Sequence, residues 1–398
     1  MKICPCCNGK KFKRIFKIVK FPYITTPIDT YVKKKISRDK KLNKYYDNLE
    51  NLFCQKCTHI FLRKNPNQKI IDELYSRYYN YPSPLKDNFE PSRDNEFLNF
   101  FFKFCQKYKI SKNKNIYEIG CFDGYILYKL KKNGFKHVEG CDPSLGALIG
   151  KKFGLKINRE FFSKQKLLSK KKFFDVIIAR HVLEHLKSPE NFLRDLSDVS
   201  TEGSLVFLEV PNGEYYLKYG LSEVFSLQHI HLFTIKSIYF LLKKLNYNLI
   251  FFNNKNSNLY LVIQKNNPLK KIVFYNNNLF EKFKKNFLLN KKNINNILEK
   301  FSNKKICFWG AGGFACAAFY LYKIDKKNIS FLIDSDKSKL GKEFIGINIP
   351  VLSPTEGLSL KPDLIVITSY YSNDIIRSIK KYDSLVKILT IYPKVKII

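Results

Sequence analysis

The sequence lacks several features that would place it in other protein classes. No run reaches the roughly 18 to 20 uncharged apolar residues that a membrane-spanning helix needs. The first residues, MKICPCCNGK, contain cysteines where a signal peptide carries an apolar stretch. Ten cysteines in 398 residues are too few for a disulfide scaffold. We therefore expect a cytoplasmic protein without a membrane span, whose cysteines stay reduced and are available to a metal ion.

Acidic side chains are scarce, since 34 Asp and Glu stand against 71 Lys and Arg and give a formal net charge of +37. Only nine of the basic residues are Arg, the side chain that nucleic-acid readers favour for its planar fork. The lysines are spread along the whole chain. We interpret the charge as a solvated, lysine-rich surface and do not expect a nucleic-acid partner. A polyanion such as RNA stays the alternative, because a field of this sign attracts one.

Patterns along the chain divide it into four segments. Residues 1–75 begin and end with cysteine pairs, and residues 76–265 alternate strand and helix patterns. Residues 266–303 form an Asn- and Lys-rich linker that is helical in part, and residues 304–398 begin the alternation again. Strands that alternate with helices predict an α/β fold with a doubly wound sheet, here followed by a second, smaller Rossmann-like unit.

Two CxxC pairs mark the ends of the first segment. They are Cys4 with Cys7 and Cys54 with Cys57. Four thiolates that meet in a tetrahedron form the usual structural zinc site, which leaves no position for a substrate. Cys6 is surplus, and the Cys4–Cys7 pairing is chosen on spacing alone. The alternative is a set of unrelated buried thiols.

A glycine turn with an acidic residue downstream is the strongest motif. Glu118 ends a short apolar run, and Gly120 and Gly124 let the backbone approach a ligand closely. Asp142 ends the next predicted strand, where a carboxylate can accept both ribose hydroxyls. The GxxxG spacing, with Phe122 in its middle, departs from the GxGxxG of dinucleotide sites. It fits S-adenosylmethionine (SAM), which has no pyrophosphate. The alternative is that the glycines serve packing alone.

The last segment contains a second glycine turn, GAGG at residues 310–313, with Asp334 about 20 residues later. Taken by itself, this arrangement predicts an NAD site.

The order of all these motifs resembles that of the sugar-nucleotide C-methyltransferases, and residues 116–262 resemble class I SAM-dependent methyltransferases in general. The matching stretches are CPCC, CQKC, YEIGCFDGYIL, VEGCDPS, FDVIIARHVLEHLKSPENFL, LEVPN, IDSDKSKLGKEFIGINIPVLSP and KPDLIVITSYYS. The resemblance implies a zinc module, a central SAM domain and a C-terminal Rossmann-like domain. That last domain would contribute to the sugar-nucleotide cleft and bind no cofactor of its own.

The resemblance also implies an activity, carbon methylation of a nucleotide-linked keto-sugar, which would feed a polysaccharide or a glycosylated product. A base removes the proton beside the ketone, and the enolate attacks the SAM methyl group. In the family the base lies in a Tyr-x-Glu-His-x-x-Tyr-Phe-Ser pattern, which places His229 in that role. The chain departs from the pattern at Ser226, Gln228 and Leu232. Gln228 can orient an imidazole but supplies no charge. We assign Gln228 and His231 to the substrate, with His231 as the lesser option for the base.

Four further residues follow from the resemblance. His185, after the third strand of the SAM domain, is a second catalytic histidine near SAM and sugar, or else part of a helix-capping cluster. Tyr79 and Tyr81 match a Tyr-x-Tyr-x-Ser element that closes over the cofactor, and we assign Tyr81 to SAM and Tyr79 to the substrate. Asn212, at the end of LEVPN, is also assigned to the substrate.

Three alternatives stay open at this point. The departures around His229 allow an O- or N-methyltransferase that acts on another small molecule. The cysteine module and the net charge allow an RNA-binding or RNA-modifying protein, although no basic run interleaves with aromatics as in known RNA modules. A protein that binds SAM or sugar without turnover is the third. The sequence names neither the sugar nor the oligomeric state.

Overall fold

The computed structural model describes residues 2–28, 42–78, 82–265, 272–274, 278–344, 347–383 and 385–398. Within these ranges, the strands are β1 (Phe12–Pro22), β2 (Tyr46–Cys54), β3 (Ile60–Leu62), β4 (Asn115–Ile119), β5 (His137–Cys141), β6 (Lys156–Asn158), β7 (Phe174–Arg180), β8 (Ser200–Pro211), β9 (His231–Leu232), β10 (Tyr247–Asn253), β11 (Asn258–Lys265), β12 (Ile306–Trp309), β13 (Phe331–Ile333), β14 (Val351–Leu352), β15 (Leu364–Ile367), β16 (Lys387–Thr390) and β17 (Lys396–Ile397).

The α-helices of the same ranges are α1 (Gln68–Glu73), α2 (Pro84–Asp87), α3 (Ser92–Lys107), α4 (Tyr125–Lys132), α5 (Gly146–Lys152), α6 (Lys164–Ser169), α7 (Pro189–Asp198), α8 (Gly213–Tyr219), α9 (Ile235–Leu245), α10 (Leu279–Lys300), α11 (Gly313–Leu321), α12 (Pro354–Ser359) and α13 (Ser372–Tyr382). A π-helical turn, Leu74–Tyr78, continues α1. Among the described helices, none has the length and apolar character that crossing a membrane requires.

The central sheet has seven strands in the order β10-β11-β8-β7-β4-β5-β6. Strands β4 to β8 run parallel, whereas β11 is antiparallel to both β8 and β10. Strand β7 is apolar on both faces because helices cover both. On one face, Phe101 and Phe104 of α3 pack against Phe207 of β8. The parallel arrangement brings the carboxyl ends of β4, β5, β7 and β8 to one edge, where α/β proteins bind ligands.

The C-terminal sheet has six strands in the order β14-β13-β12-β15-β16-β17. All pairs are parallel except the last, in which β17 is antiparallel to β16. The alanine-rich α11 follows β12 and is buried along almost its whole length. The chain therefore contains two Rossmann-like α/β units with mixed sheets, as the alternating patterns predicted.

The N-terminal segment contributes three strands to a four-stranded sheet. Strands β1 and β2 form a long antiparallel hairpin that pairs Phe12 with Cys54 at one end and Pro22 with Tyr46 at the other. Lys13, Lys17 and Lys20 of β1 are exposed, whereas Phe16 and Phe21 of the same strand are buried. The sheet order is β1-β2-β3-β9, and β9 comes from a segment more than 150 residues later. The module is therefore completed by the central domain.

The described part of the predicted linker consists mainly of helix α10. This helix runs over 22 residues and packs against α8. Phe283 and Phe287 of this helix contact the ring of Phe16 from β1, with ring centroids 5.5 and 4.9 Å apart. Phe16 also contacts Phe225 of the central domain at 4.9 Å. The three parts of the chain thus share one apolar cluster.

Candidate active site

The turn between β4 and α4 depends on two glycines in the left-handed region. Gly120 has φ of +72° and Gly124 has φ of +79°. A Cβ on Gly120 would lie 2.7 Å from the side chain of Val182, and one on Gly124 would lie 2.6 Å from Ile157. The backbone N–H of Gly120 donates to the carbonyl of Cys141 at 2.8 Å. Packing against the protein's own side chains therefore requires both glycines, whatever ligand the turn also holds.

Asp142 lies at the tip of β5, as predicted, and ties the glycine turn to that strand. Its Oδ2 accepts from the backbone N–H of Phe122 at 2.9 Å. Its Oδ1 accepts from the backbone N–H of Ser144 at 2.8 Å and from the hydroxyl of the same residue. Asp142 thus shapes the turn in addition to the ribose contact predicted for it.

Glu118 ends β4 beside this turn and is buried. Its Oε2 has no hydrogen-bond partner among the described residues. Burial raises the pKa of Glu118 to about 8, although the nearby charge of Arg180 opposes this shift. A buried carboxyl without a partner is costly, and a cation beside it offsets the cost. SAM carries a sulfonium and an ammonium group, so the donor set at this edge fits it.

Two predicted histidines meet at the same edge of the sheet. The rings of His185, from the turn after β7, and His229, from the segment before β9, lie 4.9 Å apart. Nδ1 of His185 donates to the carbonyl of Gln228 at 2.9 Å and lies 2.8 Å from the hydroxyl of Tyr75. Nδ1 of His229 donates to the carbonyl of Val224 at 2.6 Å. Because carbonyls only accept, each neutral ring keeps its lone pair on Nε2.

Burial keeps both rings neutral. It lowers the pKa of His229 to about 4, and the adjacent His185 lowers it further against the opposing charge of Glu184. Burial also lowers the pKa of His185. At neutral pH each imidazole can therefore accept a proton from a bound molecule.

Two functional candidates beside the pair were missed by sequence reasoning. Glu184 is fully buried, and its Oε1 accepts from Nδ1 of His181 at 3.0 Å and lies 3.8 Å from Nε2 of His185. Burial alone would raise the pKa of Glu184, but the hydrogen bond and charge of His181, with the other two histidines, lower it to about 2. The position of Glu184 directly before His185 was an available signal. Tyr75 gave none, since it lies in a tyrosine-rich stretch.

Gln228 and His231 are placed differently from the prediction. The side-chain amide of Gln228 donates to the carbonyl of Tyr23 at 2.9 Å, so it does not orient the imidazole of His229. His231 is buried in β9, and its Nδ1 is hydrogen bonded to Nε2 of His59 at 3.0 Å. The strand turns His231 toward the N-terminal module, and the structure does not bring it to the histidine pair.

The remaining predicted substrate and cofactor residues are Tyr79, Tyr81 and Asn212. Tyr79 and Tyr81 lie outside the described residues. Asn212 is fully buried and caps α8, where its Oδ1 accepts from the backbone N–H of Glu214 at 3.1 Å. Its amide donates to the carbonyl of Asn254 at 2.8 Å. These bonds commit the side chain of Asn212 to the backbone and leave it little capacity for a substrate.

The four predicted metal ligands lie together in the N-terminal module. The Sγ atoms of Cys4, Cys7, Cys54 and Cys57 all lie within 4.8 Å of one another. Cys4 and Cys57 are 3.5 Å apart, and Cys7 and Cys54 are 3.6 Å apart. A zinc ion with Zn–S bonds of roughly 2.3 Å needs sulfur atoms about 3.8 Å apart. Cys6 is buried but is not one of this cluster. The donor set therefore fits a tetrahedral thiolate site.

Comparison with family models decides the type of enzyme. Residues 92–250 match a methyltransferase domain, and residues 262–386 match a C-methyltransferase C-terminal domain. Residues 92–250 therefore contain a methyltransferase domain. The matched ranges correspond to the central and C-terminal α/β units of the chain, and the histidine pair lies within the first.

Curated relatives match part of the chain. It is 35% identical over 97 residues to a tRNA U34 carboxymethyltransferase of Helicobacter acinonychis, covering 21% of this chain and 36% of the relative. It is 26% identical over 184 residues to the protein of that name from Campylobacter hominis, covering 43% and 65%. The chain thus spans about a third to two thirds of the length of these relatives.

Solved structures are similar to about half of the chain. Magnesium protoporphyrin IX methyltransferase from Synechocystis, with bound SAM, is 10% identical with a TM-score of 0.38, covering 50% of this chain and 96% of that one. The plantazolicin methyltransferase is 17% identical with a TM-score of 0.38 and the same two coverages.

Proposed function

We propose that this methyltransferase transfers the SAM methyl group to a carbon atom of a nucleotide-linked keto-sugar. The observation that carries the proposal is the pair of neutral histidines, His185 and His229, whose rings lie 4.9 Å apart at the edge that also holds the glycine turn. Methylation at carbon requires a base that removes a C–H proton, which an imidazole with a free Nε2 can do. The match of residues 262–386 to a C-methyltransferase C-terminal domain supports the same chemistry.

The proposed reaction begins when Nε2 of His229 takes the proton from the carbon beside the ketone. The hydrogen bond from its Nδ1 to the carbonyl of Val224 holds the ring in the required tautomer. SAM, when bound, supplies a methyl group on a positively charged sulfur. The enolate carbon would take that methyl group as the S–CH3 bond breaks and S-adenosylhomocysteine leaves, and the residues of the site would hold the two reacting atoms in line. Glu118, Gly120, Gly124 and Asp142 are the residues proposed to hold SAM.

The experiment uses methyl-labelled SAM and a panel of nucleotide-linked 4-keto-sugars in deuterated water, followed by mass spectrometry. We expect a labelled methyl group on a sugar carbon, and deuterium at the same carbon in substrate that has not been methylated. SAM consumption without any acceptor gives the background. If SAM binds but no member of the panel gains a methyl group or deuterium, the proposal fails.

A second candidate is methylation of RNA. The names of the matched curated relatives, which are tRNA U34 carboxymethyltransferases, support it, as does the net charge of +37. Incubation with methyl-labelled SAM and total tRNA tests it. Label in the tRNA, together with salt-sensitive retention of tRNA near 0.15 M salt, would favour this candidate over the sugar.

We also propose that Cys4, Cys7, Cys54 and Cys57 hold a structural zinc ion. A closed four-thiolate site has no open position for substrate, and its binding free energy adds to the stability of a small module. We further propose that the chain divides near residues 75, 265 and 303. The zinc module comes first, the SAM domain second, and the C-terminal domain follows the linker.

A further inference from the structure

We propose that Glu184 is a positioning residue whose buried carboxylate supplies the negative charge that the His185–His229 pair needs when it takes up a proton. This inference rests on the proposed function, since it concerns the base of that reaction. It also accounts for the loss of a carboxylate at position 228. There, the amide of Gln228 donates to the carbonyl of Tyr23.

Geometry places the carboxylate next to the pair. Glu184 is fully buried in the turn after β7, and its Oε1 lies 3.8 Å from Nε2 of His185. One side-chain donor or acceptor atom from each of Glu184, His185 and His229 lies within 4.8 Å of the other two. Oε1 also accepts from His181, whereas Oε2 has no hydrogen-bond partner among the described residues. A buried carboxylate this close to two rings stabilises a proton on either of them.

The other charged groups around the pair cannot fill this role. The charge of His181 disfavours a further positive charge on both rings, and that of Arg93 does so on His185. Glu184 opposes them on both rings. Glu184 therefore supplies the negative charge that faces the two histidines.

Two neighbouring groups, Glu209 and Tyr75, do not supply this charge. Oε1 of Glu209, in β8, lies 3.0 Å from Nε2 of His181. Its Oε2 accepts a hydrogen bond from Nε of Arg180 at 2.6 Å. The phenol of Tyr75 lies 2.8 Å from Nδ1 of His185 and is neutral at the pH of interest. Neither adds negative charge to the pair.

The need for this charge follows from the burial of the base. A base whose pKa is about 4 forms a strongly acidic imidazolium, so proton transfer from carbon to His229 is uphill. A fixed carboxylate makes the protonated state less costly without changing the neutral resting state. It acts through the imidazoles and touches neither sugar nor SAM in the proposed reaction.

The test compares wild type with Glu184→Gln, which keeps shape and the bond from His181 but removes the charge, and with Glu184→Asp, which keeps the charge. In protein labelled with ¹³C at the histidine Cε1, the titration midpoints of His185 and His229 should fall by about one pH unit in Glu184→Gln. They should stay close to wild type in Glu184→Asp. Single His→Asn variants assign the signals.

Methyl transfer provides the second readout. Glu184→Gln should lower kcat by about 100-fold while the KM of the acceptor and the Kd of SAM change little, and Glu184→Asp should recover most of the rate. Unchanged histidine midpoints in Glu184→Gln would overturn the inference. So would a second metal equivalent per chain that Glu184→Gln releases, because a cation would then be the partner of the carboxylate.

The two proposals fail separately. If no keto-sugar is methylated, the proposed function fails, while the histidine midpoints still decide whether Glu184 is coupled to the pair. If the sugar is methylated and the midpoints do not move, the inference about Glu184 alone is wrong.

Discussion

The carboxylate of Asp142 accepts a hydrogen bond from the backbone N–H of Phe122 at 2.9 Å, which ties the first glycine turn to the tip of the next strand. The C-terminal unit repeats this bond, since Asp334 accepts from the backbone N–H of Ala311 at 2.8 Å. There, however, Lys339 donates to the same carboxylate oxygen at 2.9 Å. A lysine on the carboxylate competes with the ribose hydroxyls that such a residue binds in a dinucleotide site. The two turns therefore share the same carboxylate-to-backbone hydrogen bond, and a ligand is assigned to the first turn alone.

The first prediction concerns this pair. Asp142→Asn should weaken SAM binding by about 10-fold or more, because an amide loses the charge-assisted bonds to the turn and to the ribose. Isothermal titration calorimetry with SAM measures the change. Asp334→Asn is the matched control and should leave the Kd of SAM within about 2-fold of wild type. Equal weakening by both substitutions would contradict the assignment of SAM to the first turn.

The second prediction concerns the histidine pair. His229→Asn and His185→Asn should each lower methyl transfer by about 10² to 10⁴-fold, the usual contribution of general acid–base catalysis. The Kd of SAM should change little, since neither ring is assigned to the cofactor. Single-turnover transfer and SAM titration measure the two quantities on the same preparations. His137→Asn, at an exposed position, is the control. Full activity of His229→Asn would remove this residue as the base.

The third prediction concerns pH. Because burial lowers the pKa of His229 to about 4, the ring stays neutral well below the ordinary imidazole value of 6.5. The rate should therefore hold its plateau as the pH falls from 7 to about 5 and decline only as the pH approaches 4. A profile of kcat/KM for the acceptor measures this limb. A decline centred near pH 6.5 would show that the base titrates as an exposed imidazole does.

Local sequence patterns predicted strands whose carboxyl ends carry the candidate site. Strands β12 and β13 belong to the alternation predicted for residues 304–398, and each is a short apolar run enclosed by turn residues. Glu118 and Asp142 were placed at strand ends for the same reason. Such signals depend only on neighbours in the sequence, and that is why they could be found without the fold.

Contacts between distant segments were beyond those patterns. His59 and His231 are 172 positions apart, yet their hydrogen bond joins β3 to β9 and turns His231 away from the site. Gln228 likewise donates to a carbonyl that lies 205 positions earlier in the chain. The role of Glu184 arises from burial, which removes water as its partner and leaves the histidines. No local spacing indicates the first two facts, and the position of Glu184 directly before His185 indicates that the two are neighbours but not that the carboxylate is buried.

The fourth prediction concerns the cysteine cluster. Wild type should retain about one zinc ion per chain after dialysis, and Cys7→Ser should retain almost none and melt at a lower temperature. Cys6→Ser is the matched control, since Cys6 is adjacent in sequence but is not one of the clustered thiols. It should keep the metal. Elemental analysis and thermal unfolding measure the two effects. Loss of zinc from Cys6→Ser with retention in Cys7→Ser would reverse the assignment.

The fifth prediction concerns Glu223, a buried carboxyl whose two oxygens have no hydrogen-bond partner among the described residues. Burial raises its pKa from the ordinary value of 4.5 to about 8. Between these values the folded protein holds a proton that the unfolded chain releases. The free energy of unfolding therefore falls as the pH rises from about 4.5 to 8, by roughly 5 kcal/mol at most for this one group.

Glu223→Gln keeps the shape of the side chain but removes its titration, so the variant should gain stability over wild type as the pH rises. The two proteins should differ little at pH 5, and the difference should grow steadily toward pH 8. Urea unfolding at pH 5, 6, 7 and 8 measures it, and other titrating groups such as Glu118 cancel in the comparison. Glu202→Gln, at an exposed position, should show no such trend. A difference that stays constant over this range would mean that Glu223 is ionised in the folded protein, and a cationic or hydrogen-bonding partner would then be required beside it.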